Sequence, residues 1–240
     1  MKVGLLLNTF QDSFDDVLAK VREAEDAGLD GVFCYDHLWP IGHPGMPALS
    51  CFPVLSAMAA STSRISIGTL VARVSLYGDM MVRSFEAINM VAFGRVIAGI
   101  GTGDSRSQPE DHAYGISHLD AHERRMLVVR SARLLVSEGI EVWVGAGSSL
   151  KSLSNNIAAA RAAGAAVNLW QADLTTIHDA ASTGIPLTWA GSLEKLAAGA
   201  QISPARALLE LVEAGVLWAV IGSDDMGSVA EAAGVIHPTP

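Results

Sequence analysis

Eight short apolar runs, six of them followed by a stretch with helical spacing, constrain this chain more than any other feature. The runs cover residues 3–7, 31–34, 65–71, 96–100, 141–144, 166–170, 187–190 and 217–221. After the first, Phe14, Val17, Leu18 and Val21 recur on one face with Asp15, Asp16, Lys20 and Glu23 on the other, the period of an amphipathic helix. Asp12 or Ser13 can cap that helix and Gly28 can end it. Helices are expected in the same way over 52–60, 80–93, 121–137, 158–163 and 206–214. Strands alternating with helices through short connections predict a parallel sheet with right-handed crossovers. Eight such units in 240 residues suit a closed (β/α)8 barrel, for which ~250 residues is typical, better than an open sheet. The expectation is therefore an α/β fold, a single TIM-type barrel domain over 1–240. It is shortened in its C-terminal half, because 173–200 is brief and poorly periodic for two β/α units.

Composition narrows the partners. A net charge of -9 with no run of Lys and Arg argues against nucleic acid, whose phosphates need a concentrated basic face. No stretch reaches the ~18 apolar residues that span a bilayer, and MKVGLLLNT lacks the form of a signal peptide. A cytoplasmic protein without a membrane partner is expected, with Cys34 and Cys51 reduced and buried. An acidic surface and an apolar barrel exterior permit a homodimer.

Chemistry is sought first at 95–115, RVIAGIGTGDSRSQPEDHAYG. Val96, Ile97, Ala98 and Ile100 suit a strand buried on both faces. Gly99, Gly101 and Gly103 allow close backbone approach where it ends, and Asp104 follows at its carboxyl mouth. Ligands of parallel β/α folds bind at that mouth. Asp36 and His37 come directly after the second run and should project into the same mouth; a histidine there can donate, accept or shuttle a proton. The glycine- and serine-rich run Gly145, Ala146, Gly147, Ser148 and Ser149 has backbone N–H groups and hydroxyls that could hold a phosphate. Each feature also has a plain structural reading: a capped β-to-α turn, a structural Asp-His pair, a helix-capping turn. Trp39 and Trp170 follow strands and could wall a planar ligand or pack in the core. The histidines show no metal spacing, and Ser105 and Ser107 lack a nucleophile elbow.

The segments VGLLLN, DGVFCYDHLWP, RISIGTLV, GRVIAGIGTGD with AYG downstream, ERRMLVVRSARLL, VWVGAGSS and AGAAVNLW together resemble the bacterial luciferase-like family of flavin and deazaflavin oxidoreductases. Within it they resemble the branch that uses coenzyme F420. The resemblance implies a TIM-type barrel with the cofactor in its mouth. It implies His37 near the deazaflavin's reactive C5 carbon, Asp36 as its partner, and Asp104 where the family often places a glutamate that carries a proton. It further implies a non-prolyl cis peptide on the third strand, at Gly68, Thr69 and Leu70. The cofactor's phosphate would lie on the loop from Gly145 to Ser149, and Asn168 and Trp170 would line the pocket. The chain departs from the family in its small region around strand seven. It also departs in SLYGDMMVRSFEAINMVAFGR, which lacks the usual proline and serine-glycine.

The function so implied is hydride transfer between coenzyme F420, at the carboxyl mouth, and a small organic substrate. The alternatives are an FMN-dependent luciferase-like monooxygenase, a non-catalytic flavin- or deazaflavin-binding protein, and a barrel with unrelated chemistry.

Overall fold

The computed structural model describes residues 1–11, 13–40, 42–103, 107–117, 119–146, 150–223 and 225–237. In chain order the elements are β1 (Lys2–Leu7), α1 (Phe14–Asp26), β2 (Gly31–Cys34), α2 (Cys51–Ser61), β3 (Ser66–Thr69), β4 (Ala72–Arg73), α3 (Val74–Tyr77) and α4 (Met80–Val91). Then follow β5 (Val96–Gly101), α5 (Gln108–Ala113), α6 (Ala121–Ser137), β6 (Glu141–Gly145), α7 (Leu150–Ala163) and β7 (Ala166–Trp170). The last are α8 (Leu174–Ala181), β8 (Leu187–Gly191), α9 (Leu193–Ala200), α10 (Pro204–Glu213), β9 (Trp218–Ile221) and α11 (Met226–Ile236).

All strand pairings are parallel, and the order β3-β2-β1-β9-β8-β7-β6-β5 closes through β3 against β5 into an eight-stranded TIM-type barrel. The short β4 continues β3 beyond the Leu70–Val71 peptide, which is cis, and pairs with the far end of β5. The region 173–200 supplies α8, β8 and all of α9, so the shortening falls on helices of eight residues each and not on the ring of strands. Among the described residues no helix is long and apolar enough to cross a membrane.

The period of two along each strand sorts the side chains. Val3, Leu5 and Leu7 face outward onto the helices, with Val17 and Val21 of α1 in the same cluster, while Leu6 faces the barrel axis. The axis is filled by rings: Phe33 stacks on Trp143 at 4.9 Å and meets Trp218 edge-on at 5.6 Å. Each ring of this kind buries ~150–250 Å2, roughly 4–6 kcal/mol at 25 cal per Å2. Two interior glycines make room for Phe33. A Cβ at Gly4 would lie 2.9 Å, and one at Gly68 2.7 Å, from its ring atoms.

At the opposite end from the mouth, a buried carboxylate and a half-buried guanidinium hold the turn between α2 and β3. The Glu25 carboxylate accepts backbone N–H bonds from Ser63, Arg64 and Ile65. The Arg95 guanidinium donates to the carbonyls of Ala59, Thr62 and Ile65. The guanidinium thereby satisfies carbonyls that the C-terminal end of α2 leaves orphaned, and the carboxylate satisfies the N–H groups of the turn that follows. Burial pushes the Glu25 carboxyl up, but the three backbone donors and the Arg64 charge outweigh it and hold the group below its usual range.

Candidate active site

At the carboxyl ends of the strands one arginine gathers three carboxylates. Arg73, the last residue of β4, is 4% exposed along its side chain. Its Nη2 lies 2.7 Å from Glu110 Oε2 and its Nη1 3.2 Å from Asp111 Oδ1, while Nε is 3.6 Å from Asp36 Oδ2. Its backbone N–H donates to the same Asp36 oxygen at 2.6 Å, and the Tyr77 hydroxyl, at the end of α3, donates to the other. Glu110 and Asp111 sit in the first turn of α5, which a proline at its start favours. Desolvating a charge costs several kcal/mol, so each of these four groups depends on the others.

The cluster ends at His37. Its Nδ1 is 2.9 Å from Glu110 Oε1, and the Leu38 N–H donates to Glu110 Oε2 at 3.0 Å. The His37 side chain is 26% exposed, against 1% for Glu110, so the imidazole is where the buried network reaches the mouth. Burial pushes the Glu110 carboxyl up. The His37 ring, the Leu38 N–H and the Arg73 charge together outweigh it and hold the group low. Asp36 goes the other way: burial lifts it to about 6 against the pull of Arg73 and Tyr77. The Tyr77 phenol is pushed well above its usual range by burial and by the neighbouring Asp36 charge.

Asp36 was expected to partner His37; the structure gives that place to Glu110 and turns Asp36 toward Arg73 and Tyr77. The physical reason is geometric. Adjacent residues leaving a strand point to opposite sides, so Asp36 lies behind the mouth, 4% exposed.

The remaining expected residues divide. Trp170 is 36% exposed and meets Tyr35 edge-on at 5.9 Å; Tyr35 in turn stacks on Phe10 at 5.2 Å. These rings and His37 line the mouth, Phe10 lying 6.3 Å from the imidazole. Thr69 is buried and donates to the Gly99 carbonyl at 2.6 Å, and Leu70 joins the cluster inside the barrel. A Cβ at Gly101 would come 2.5 Å, and one at Gly145 3.2 Å, from Val71 Cγ2. Both glycines thus admit the side chain that follows the cis peptide. Gly103 has φ +66, and a Cβ there would meet Ser107 Oγ at 3.1 Å and Arg73 Cδ at 3.4 Å. Ala146 donates to the Asn168 carbonyl at 2.9 Å, and its own carbonyl accepts from Asn156 Nδ2 at 3.0 Å. The Asn168 amide donates to Thr188 Oγ1 at 3.0 Å. Asp104, Gly147, Ser148 and Ser149 lie outside the described residues, as do Asp12 and Ser105.

Sequence reasoning missed Arg73, Tyr77, Glu110 and Asp111. One signal was present: a single arginine inside the apolar run VARV, since a lone charge flanked by buried residues needs a partner.

The closed parallel barrel, with its polar cluster at the carboxyl mouth, places the chain among TIM-type β/α-barrel proteins. Residues 1–194 match the family described as luciferase-like monooxygenase, and the chain belongs to that family. It is 36% identical over 126 residues to the F420-dependent glucose-6-phosphate dehydrogenase of Beutenbergia cavernae, covering 52% of this chain and 37% of that one. It is 31% identical over 124 residues to the enzyme of the same name from Nakamurella multipartita, covering 51% and 34%. The chain thus matches little more than a third of the length of these curated relatives. Among solved structures, an F420-dependent secondary alcohol dehydrogenase in complex with an F420-acetone adduct superposes with a TM-score of 0.71 at 12% identity, covering 96% of both chains. That likeness is one of fold.

Proposed function

We propose that this chain is an oxidoreductase that binds coenzyme F420 in the barrel mouth and serves hydride transfer with a small organic substrate. The observation that carries this reading is His37, which stands in an aromatic-lined mouth with Nδ1 held by a buried carboxylate. The F420-dependent relatives support the choice of cofactor.

The residues present fit a deazaflavin ring. Phe10, Tyr35 and Trp170 offer apolar planar surface of the kind that accepts a flat heterocycle, and His37 adds a nitrogen able to take or return a proton. When bound, the deazaflavin supplies a two-electron hydride donor or acceptor. The protein supplies the rest. Trp170 and Tyr35 would orient the ring and His37 would exchange the substrate's proton; the Ala146 N–H is spent on the Asn168 carbonyl, which leaves Gly147, Ser148 and Ser149 to hold the phosphate. Asp104 acts as a second proton carrier. In this reading the protein is a single cytoplasmic barrel over 1–240 without a nucleic-acid partner, and its acidic surface and apolar barrel exterior permit a homodimer.

Paired fluorescence titrations test the reading. Micromolar binding of F420 with little or none of FMN supports it, as does a steep loss of turnover in His37→Ala with cofactor affinity largely kept. A preference for FMN, or binding of neither, overturns it.

A further inference from the structure

An ionised carboxylate can only accept hydrogen bonds. Glu110 Oε1, 2.9 Å from His37 Nδ1, therefore fixes the neutral imidazole with its proton on Nδ1. Nε2 has no protein partner among the described residues and is left with its lone pair at the mouth. Glu110 itself is fixed by two donors on its other oxygen, the Leu38 N–H at 3.0 Å and Arg73 Nη2 at 2.7 Å.

The two donors are not equivalent. Leu38 is on the same loop as His37, so its bond moves with the imidazole. Arg73 belongs to the barrel, being part of β4 and paired with β5 at Gly101. Its guanidinium also meets Asp36 and Asp111, so Glu110 is referenced to the strands through one rigid fork.

We propose that Arg73 is the positioning residue of this site: through Glu110 it sets the tautomer of His37, keeping Nδ1 protonated and Nε2 open as a proton acceptor. The inference rests on the reading of His37 as the proton carrier, but its test requires neither cofactor nor turnover. A single cation among three buried carboxylates is also a stability element, so a loss of stability alone does not establish the role. The tautomer does.

The experiment is long-range proton–nitrogen NMR on the cofactor-free chain labelled with 15N-histidine, above neutral pH, with the His37 signals assigned by their loss in His37→Gln. The expected wild-type pattern is a protonated, pyrrole-type Nδ1 and an unprotonated, pyridine-type Nε2. Arg73→Lys keeps a charge but loses the fork, and it should convert this pattern to averaged shifts from both tautomers. Arg73→Met should do so more completely. If Arg73→Met fails to fold, Arg73→Lys decides alone. An unchanged Nδ1-protonated pattern in folded Arg73→Lys overturns the proposal, as does a wild-type ring protonated on Nε2. Failure of the F420 titration would remove the proposed function and leave this result standing.

Discussion

Tyr35 and Trp170 meet edge to face across the barrel axis, ring centroids 5.9 Å apart at 81°. They follow or end β2 and β7, which stand opposite one another in the closed ring of eight strands. The pair forms the floor of the mouth above the Phe33, Trp143 and Trp218 tier. An aromatic pair is worth ~0.5–1.5 kcal/mol beyond its area, so Trp170→Ala should weaken binding of a planar cofactor by about threefold to tenfold. A quenching experiment checks the placement. Trp170 is 36% exposed, whereas Trp39, Trp143, Trp189 and Trp218 are at 9% or less. Trp170→Phe should therefore remove most of the acrylamide-quenchable fluorescence; equal quenching in both proteins would contradict this placement.

The same substitution should have opposite signs at two glycines. A Cβ at Gly99 would fall 1.9 Å from the Thr69 carbonyl oxygen, a backbone atom that cannot yield without moving a strand. Gly99→Ala should cost about 3 kcal/mol or more. Gly199, within α9, has nothing within 4 Å of the same position. Gly199→Ala should gain ~0.5–1 kcal/mol through the lost flexibility of the unfolded chain. Urea unfolding of the two variants decides; a stable Gly99→Ala would mean that β3 and β5 are not so closely apposed.

The contrast between those glycines reflects what the sequence could show. The strand over Ala166–Trp170 and the helix over Ala121–Ser137 fall on the residues expected. One is an apolar run after a glycine; the other has four turns of period and a capping box, Asp120 with Glu123. The helices Leu174–Ala181 and Leu193–Ala200 were not legible, because eight residues make barely two turns. Helix α7 begins at Leu150, ahead of the expected 158, since its Ser- and Asn-rich opening reads as a loop. In the site, Asp36 and His37 were legible from their place after a strand. Glu110 was not. Its partners lie 73 and 37 residues away, and in QPEDHA it looks like a solvated acid. Pairings at such separations are set by the fold and leave no local period.

Two carboxylates should give the stability profile opposing slopes. Glu25 is held low in the folded chain, below the ~4.3 of an unfolded glutamate, so its contribution is present above that pH and is lost as pH falls through the folded value. Asp36 sits at about 6 when folded, above the ~3.9 of an unfolded aspartate. Between those values the native state keeps a proton that the unfolded state has released, so Asp36 makes stability fall as pH rises. Unfolding free energies measured from about pH 3 to 7 should show a shallower acid limb in Glu25→Gln. In Asp36→Asn the decline between about pH 4 and 6 should vanish. Parallel profiles for wild type and both variants would contradict the assignments.

Burial, not the number of ion pairs, should decide what a charge contributes here. Arg206 bonds both Glu210 and Glu213, at 2.5 Å and 3.0 Å, yet it is 46% exposed. Pairs of that kind contribute little, because water screens them and long side chains lose freedom in forming them. Glu110 is 1% exposed and accepts from His37, Leu38 and Arg73. Truncation to alanine would leave the Arg73 fork, the Leu38 N–H and the imidazole N–H facing a space without an acceptor. Glu110→Ala should accordingly cost ~3–5 kcal/mol, the range seen when one partner of a buried ion pair is removed. Arg206→Ala should change stability little. Raising the salt concentration should erase the second effect and leave the first, since a screening length of ~8 Å in water hardly acts inside the protein. Denaturant unfolding of both variants at low and high salt is the measurement. Equal costs, or a salt-sensitive loss at Glu110, would mean that the cluster around Arg73 is open to water.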